Sequence, residues 1–414
     1  MSGDAIDALE RGLSEADAEE ADQFDLAIAS PSYEAELPNM MVDIDAALSQ
    51  HICHDSPISF LSFGCGARTV LAGDATGCLK KWDLESGRVL RAYAGRHQAG
   101  ITWCQIVQES VVSASEDGMI VIWDDGGAVR HEMHAHSGRV NCVDIDRNAM
   151  HKLLSGGSDA TLKLWDLRTG GQLMCLDGHT DAVTKCVFMH ESLALLSASH
   201  DGTLKLWDAE TGELDTTLSG HTGAILDWSI SSDGRMIASA SLDGTVRLWD
   251  SATCVCLGVI DLGGGIPVKC RICCDARHIL INDDSGQLAE WSCVDLTQQV
   301  SLVLGAGSIL DFMYSSDALF ICSIADDSTI SWFYRDGTEL GVMPTTGTPT
   351  GLFIENNALL YAVTDDLGQL YLFEEPGAED RRPLVGPAST PKAESGQAET
   401  PKSRRPASAR PRRS

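Results

Sequence analysis

The sequence predicts an all-β ring of repeated four-stranded units, on three observations. Aromatic residues close successive segments at Trp82, Trp123, Trp165, Trp207, Trp249, Trp291, Phe333 and Phe373, spaced by 41, 42, 42, 42, 42, 42 and 40 residues. The best-formed segment holds three short strand-like runs followed by a fourth. Before its third run lies an Asp-Gly pair, suited to a tight turn with positive φ. Self-similarity at about 40–45 residues marks a propeller whose blades each hold four antiparallel strands.

That segment, residues 178–208, shows the pattern in detail. Val183, Cys186 and Phe188 mark a first apolar run, Leu193 to Ser199 a second, and Thr203 to Trp207 a third that alternates with period two. Asp201-Gly202 separates the second from the third, and an outer strand follows around Glu213 to Leu218.

A Gly-His pair recurs as Gly178-His179 and Gly220-His221, with weaker forms at Ala135-His136, Arg96-His97 and Gln50-His51. With the Trp-Asp endings, these residues resemble the WD-repeat family over about residues 43–375. The resemblance implies a hydrogen-bonded His, Ser, Asp and Trp in each blade. Matching sets are His97, Ser113, Asp117 and Trp123; His136, Ser155, Asp159 and Trp165; His179, Ser197, Asp201 and Trp207; and His221, Ser239, Asp243 and Trp249. Blade one departs, with Ala72 and Thr76 at the Ser and Asp positions beside His51 and Trp82. Blades six to eight lack Gly-His, and Leu367 stands at the Asp position of the last. These blades are expected to rely more on packing than on the buried polar set.

Eight blades are expected, with seven as the alternative. Residues 43–51 align with 213–221, an outer strand without inner strands before it, and the unit ending at Phe373 has no clear outer strand after it. Pairing the two fragments closes the ring, which an open arc would need because it leaves an apolar face and strand edges uncovered.

The expected organisation is an acidic, partly disordered extension over residues 1–38, a propeller over 39–376, and a basic disordered tail over 377–414. Charge supports this division. Of the net −30, residues 1–49 carry −12 and residues 381–414 carry +7, which leaves −25 for the rest. A body so acidic is unsuited to clamping phosphates, so only the tail suits an anionic partner such as a microtubule, nucleic acid or import receptor. Thr390, Thr400 and Ser408 are candidate phosphosites that would offset its charge. There is neither an apolar run long enough for a bilayer nor a signal-peptide pattern, so an intracellular, cytoplasmic, cytoskeletal or nuclear location is expected.

No catalytic, cofactor or metal site is expected. His131, His134 and His136 lack a fourth ligand at a telling spacing, and His136 already has a place in the blade set. The cluster of Cys254, Cys256, Cys270, Cys273 and Cys274, assigned to blade six, lies in apolar runs and reads as reduced core. The fold resemblance implies partner docking at the channel mouth, at Trp103, Arg139, Asp181, Lys185, Asp227, Trp228, Lys269 and Asp311. The expected function is a non-enzymatic scaffold, monomeric within a cytoskeletal, ciliary or nuclear complex. The alternative is a substrate receptor for a cullin-type ubiquitin ligase, because Trp165-Asp166-Leu167-Arg168 matches the Trp-Asp-x-Arg pattern of such receptors, with Arg168 facing the adaptor.

Overall fold

A computed structural model describes residues 52–64, 68–148, 150–189, 193–302, 307–355 and 360–374. Its strands form eight four-stranded antiparallel sheets. Blades one to seven span residues 58–93, 101–134, 140–177, 183–218, 225–261, 267–302 and 309–344, each in chain order from the first strand to the fourth. Blade eight takes three strands from residues 349–374 and its fourth from Ile52–Cys53. Ile52 lies opposite Leu370 and Cys53 opposite Gln369, so the ring has eight blades, closed by the N-terminal strand.

The closing strand differs in register from the expectation. Residues 43–51, the two tails and the three candidate phosphosites lie outside the described residues. It is His54, three residues beyond His51, that occupies the blade-one histidine position: its N–H donates to Gly368 O at 2.8 Å, as His136 N–H donates to Gly118 O at 3.0 Å in blade three. His54 stands four residues before its blade's first strand at Ile58, as His136 does before Val140, whereas His51 stands seven before it. The turn glycine is needed for this contact, since Gly118 has φ +81° and a Cβ there would lie 2.4 Å from His136 O. At the closure, Gly368 has φ +79° and a Cβ would lie 2.6 Å from His54 O.

Burial explains why these sequences form such sheets. The second strands Ser110–Ser115, Lys152–Gly157, Ala194–Ser199 and Met236–Ser241 are buried at every residue after the first. A blade is covered on both faces, and its second strand carries bulky apolar residues followed by small Ser, Ala and Gly. The apolar clusters lie between blades. Leu71, Leu79 and Tyr93 of blade one meet Ile101, Val111 and Trp123 of blade two, and similar clusters join each later pair. The last brings Leu360, Leu370 and Leu372 of blade eight against Ile58, Val70 and Trp82 of blade one, beside a Thr350 O–H bond to Ile58 O at 3.1 Å.

In blades two to five the expected residues meet. The Trp indole N–H can only donate, and it reaches the Ser Oγ at 2.9–3.0 Å. The Ser hydroxyl then donates to His Nε2 at 2.8–2.9 Å, which leaves the Nδ1–H for the turn Asp at 2.8–3.2 Å. Only a neutral imidazole fits this order of donors. Burial lowers the pKa of all four histidines below 6.5, against the pull of the carboxylates.

The other blades add turn caps to their packing. Asp74, Asp283 and Asp365 stand two residues before the usual turn Asp. Each accepts the N–H groups two and four residues on, from Thr76 and Cys78, Ser285 and Gln287, and Leu367 and Gln369, at 2.7–3.1 Å. The second of these N–H groups is the equivalent of Met119 N–H, which Asp117 accepts at 2.9 Å in blade two. Where Gly-His is missing, Asp284, Asp326 and Asp366 accept N–H from Ile266, Ser308 and Thr348 at 2.7–2.9 Å and tie down the loop entering the blade. Two Asp in succession were the signal in blades six to eight.

Blade one keeps the ring geometry but lacks the hub. His54 and Trp82 have centroids 6.2 Å apart, as do His179 and Trp207. With Ala72 in place of Ser, the buried Trp82 Nε1 and His54 Nε2 have no partner. Ala72→Ser should therefore stabilise the protein by about 1–2 kcal/mol, whereas Ser197→Ala, which strands two buried polar atoms, should cost about 2–4 kcal/mol. Urea unfolding of both variants checks the pair; a destabilised Ala72→Ser would refute the hub assignment.

The same histidines set a pH dependence. Each stays neutral in the folded ring while its unfolded counterpart takes a proton below about pH 6.5, so the unfolded chain binds more protons there. Stability is expected to be full above that pH and to decline as pH falls through 6.5. Thermal midpoints measured between about pH 8 and 5 would reveal it, and a midpoint that rises on acidification would contradict it.

Candidate partner-binding site

The first strand of every blade has a register shift between its first and third residues, as between Ile101 and Trp103. Such bulges interrupt regular pairing and re-aim side chains. The third residues in register are Phe60, Trp103, Cys142, Lys185, Asp227, Lys269, Asp311 and Gly351. Their size and charge vary around the ring while the strands that carry them do not.

The charged members pair with one another. Lys269 Nζ lies 3.0 Å from Asp311. Asp227, only 5% exposed, holds the Lys185 ammonium on Oδ1. Its Oδ2 accepts from Arg271 Nη1 at 2.6 Å and from the Cys270 N–H at 3.1 Å. Burial alone would raise this carboxyl's pKa, but Arg271 and Lys185 outweigh it and hold the group well below the usual range. Lys185 Nζ also sits 5.8 Å from the Trp228 ring centroid and donates to Trp228 O at 3.1 Å. Asp227, expected as a docking residue, is thus a buried support for Lys185 and Arg271, while Trp228, mostly buried beside Lys185, also lines the cavity that Lys185 and Arg271 face.

Lys185, Arg271, Trp103 and Phe60 line one cavity of about 470 Å³ that runs past blades one to six. The aromatic rings of Phe60 and Trp103 lie 6.4 Å apart. Phe60 and Arg271 were not foreseen. Repeat alignment with Trp103 would have found Phe60, and Lys269-x-Arg271 stands out as two cations on alternate residues of a strand that is otherwise apolar. The remaining candidates lie elsewhere. Arg139 pairs with Glu116 at 3.0 Å, Asp181 is exposed and accepts the Ala182 N–H at 2.7 Å, and Arg168 forks onto Asp166 through Nε and Nη2, both at 3.2 Å.

The proposed chemistry of the histidine and thiol clusters finds other uses in the fold. His131 Nε2 contacts Arg168 O at 3.2 Å and His136 belongs to its blade set. Cys254 and Cys256 belong to blade five, not six: Cys256 opens that blade's fourth strand, Cys256–Asp261, and Cys254 stands in the turn before it. Among the described residues no group of three His, Cys, Asp or Glu is arranged to hold a metal. Cys142 and Cys186, on neighbouring first strands, bring their sulfurs to 3.2 Å, and burial pushes the Cys186 thiol up.

Two substitutions separate support from surface. Asp227→Ala should destabilise the protein by about 3 kcal/mol, since it strips the partner from two cations. Lys185→Met leaves Asp227 with Arg271 and the Cys270 N–H, and should cost less than about 1 kcal/mol. Equal losses in urea unfolding would overturn this ranking.

Comparison with known proteins agrees with the architecture. The pattern of the WD domain, G-beta repeat, matches residues 127–166, 170–208 and 212–250. Over 111 residues the chain is 34% identical to a ribosome biogenesis protein WDR12 homolog of Ixodes scapularis, covering 25% of this chain and 26% of that one. It is 31% identical to a guanine nucleotide-binding protein subunit beta of Arabidopsis thaliana over 120 residues, 27% and 31% of the two chains. Autophagy-related protein 16 of the same plant is 28% identical over 120 residues, 28% and 23% of the two. The chain thus spans less than a third of the length of these relatives. The crystal structure of the computationally designed Ika8 protein superposes with a TM-score of 0.68 at 26% identity, covering 78% of this chain and 98% of the design. Three matched WD repeats lie within eight blades built to one plan, so the fold is a β-propeller that carries WD repeats.

Proposed function

We propose that the ring is a non-enzymatic scaffold that docks partner proteins on the channel wall within an intracellular complex, of the cytoskeletal, ciliary or nuclear kind. The observation that carries this reading is the varied set of third residues on the first strands. The fold repeats there and the side chains do not, so packing does not dictate them. Trp and Arg are common anchors of protein interfaces, and Trp103 and Arg271 share one cavity. The relatives, an autophagy-related protein, a ribosome biogenesis protein and a guanine nucleotide-binding protein subunit, differ in role, which agrees with a general interaction scaffold. The basic tail, residues 377–414, is proposed to add contact with an anionic surface under control of phosphorylation.

The second reading, a ubiquitin-ligase substrate receptor, draws on Arg168. Its side chain is 70% exposed and held outward by Asp166. The two readings separate in affinity purification with mass spectrometry from cells expressing the full chain. Scaffold docking predicts partners that disappear with Trp103→Ala and persist with Arg168→Ala. Recovery of a cullin and its adaptor, lost with Arg168→Ala, would establish the second reading. A partner set unaffected by Trp103→Ala would exclude the channel wall.

A further inference from the structure

We infer that the channel cavity receives an extended peptide segment of a partner that inserts an acidic side chain between Lys185 and Arg271 and lays an apolar neighbour against Trp103 and Phe60. This rests on the channel-wall reading above and adds the chemistry of the segment.

The charge of the wall is the first argument. The chain carries 60 Asp and Glu against 30 Lys and Arg, yet the cavity lining includes two cations and no carboxylate. Asp227, which joins the two cations, stands behind them and not in the lining. One carboxylate shared by two cations leaves a surplus of one positive charge. A carboxylate cancels that surplus, whereas a phosphate dianion would exceed it. Of the other charges on the first strands, Asp311 is paired with Lys269 and also acts on Arg271, and Asp144 lies outside the lining, where it accepts the Phe188 N–H at 2.8 Å.

The second argument is unused donor capacity. Arg271 spends Nη1 on Asp227 and on Cys270 O. Its Nε and Nη2 make no bond to the described residues, although its side chain is only 27% exposed. A guanidinium presents its donors in a rigid fork suited to carboxylates. Lys185 is 39% exposed, which leaves its ammonium reachable from the channel. Both cations are held in place by a buried group, so little ordering remains to be done on binding.

The third argument is the division of the lining. In ring order, one end lies on blades one and two, at Phe60 and Trp103, and the cationic end on blades four to six, where Trp228 stands between Lys185 and Arg271. A single side chain fits one end. A peptide in extended form, with apolar and acidic residues close in sequence, reaches both.

The test is a random peptide library displayed on phage and panned on the full-length protein. A selected sequence, made with an amidated C-terminus and a fluorescent label, is then titrated by polarisation. The expected consensus places Asp or Glu next to Leu, Phe or Trp. Replacing that acid by its amide, or titrating Lys185→Met or Arg271→Gln protein of wild-type thermal midpoint, should weaken binding about tenfold. Trp103→Ala should weaken it too. A consensus without an acid, or binding lost with Trp103→Ala but unchanged with Lys185→Met, would overturn this inference and leave channel-wall docking standing. Failure to select any peptide sensitive to Trp103→Ala would overturn both.

Discussion

Everything in this ring depends on the apolar contact between consecutive blades. No blade owns a core; each lends one face to the blade before it and the other to the blade after. Such a contact is nearest-neighbour in kind, and an open array would leave two faces wet. Closure removes both at once. Its cost is that the last face must be covered by residues from the other end of the chain, which is why Ile52–Cys53 and His54 matter out of proportion to their number. The bond from Thr350 to Ile58 spans 292 residues.

Polar groups sealed between blades need partners, and the chain meets that need in two ways. Blades two to five use a chain of donors from Trp through Ser and His to Asp. Blades one, six and eight move the Asp two residues earlier and cap the same turn from the other side, and blades six to eight add a second Asp for the entering loop. Loss of the serine is felt where Trp82 and His54 remain without it. The same holds for Trp291, whose indole N–H is buried and unpaired. The ring tolerates these defects because the turns are still capped.

The channel wall answers to different rules. Here the first strand begins with a bulge, neighbours from several blades converge, and the third residue is free of the packing that constrains the second strand. The wall therefore holds a tryptophan, a phenylalanine, two lysines, two aspartates, a cysteine and a glycine at equivalent places. Asp227 shows how such freedom is still bounded. A buried carboxylate survives there only because Lys185, Arg271 and a backbone N–H surround it.

The sequence by itself pointed to eight blades, with seven left open, and determined the strand order within blades and the four complete polar sets, because these recur at a fixed period. It also located the variable position on the first strands, since Trp103, Lys185, Asp227, Lys269 and Asp311 sit at one place in the repeat. Tertiary structure decided what does not recur. His54 took the role expected of His51 because loop length, not strand pattern, sets the register at the closure. Asp74, Asp283 and Asp365 capped turns from a position two residues earlier than foreseen, since a carboxylate reaches the same N–H from either side. Asp227 turned inward and Arg271 came forward, because which of two neighbouring side chains faces the channel depends on the blade packed beside it.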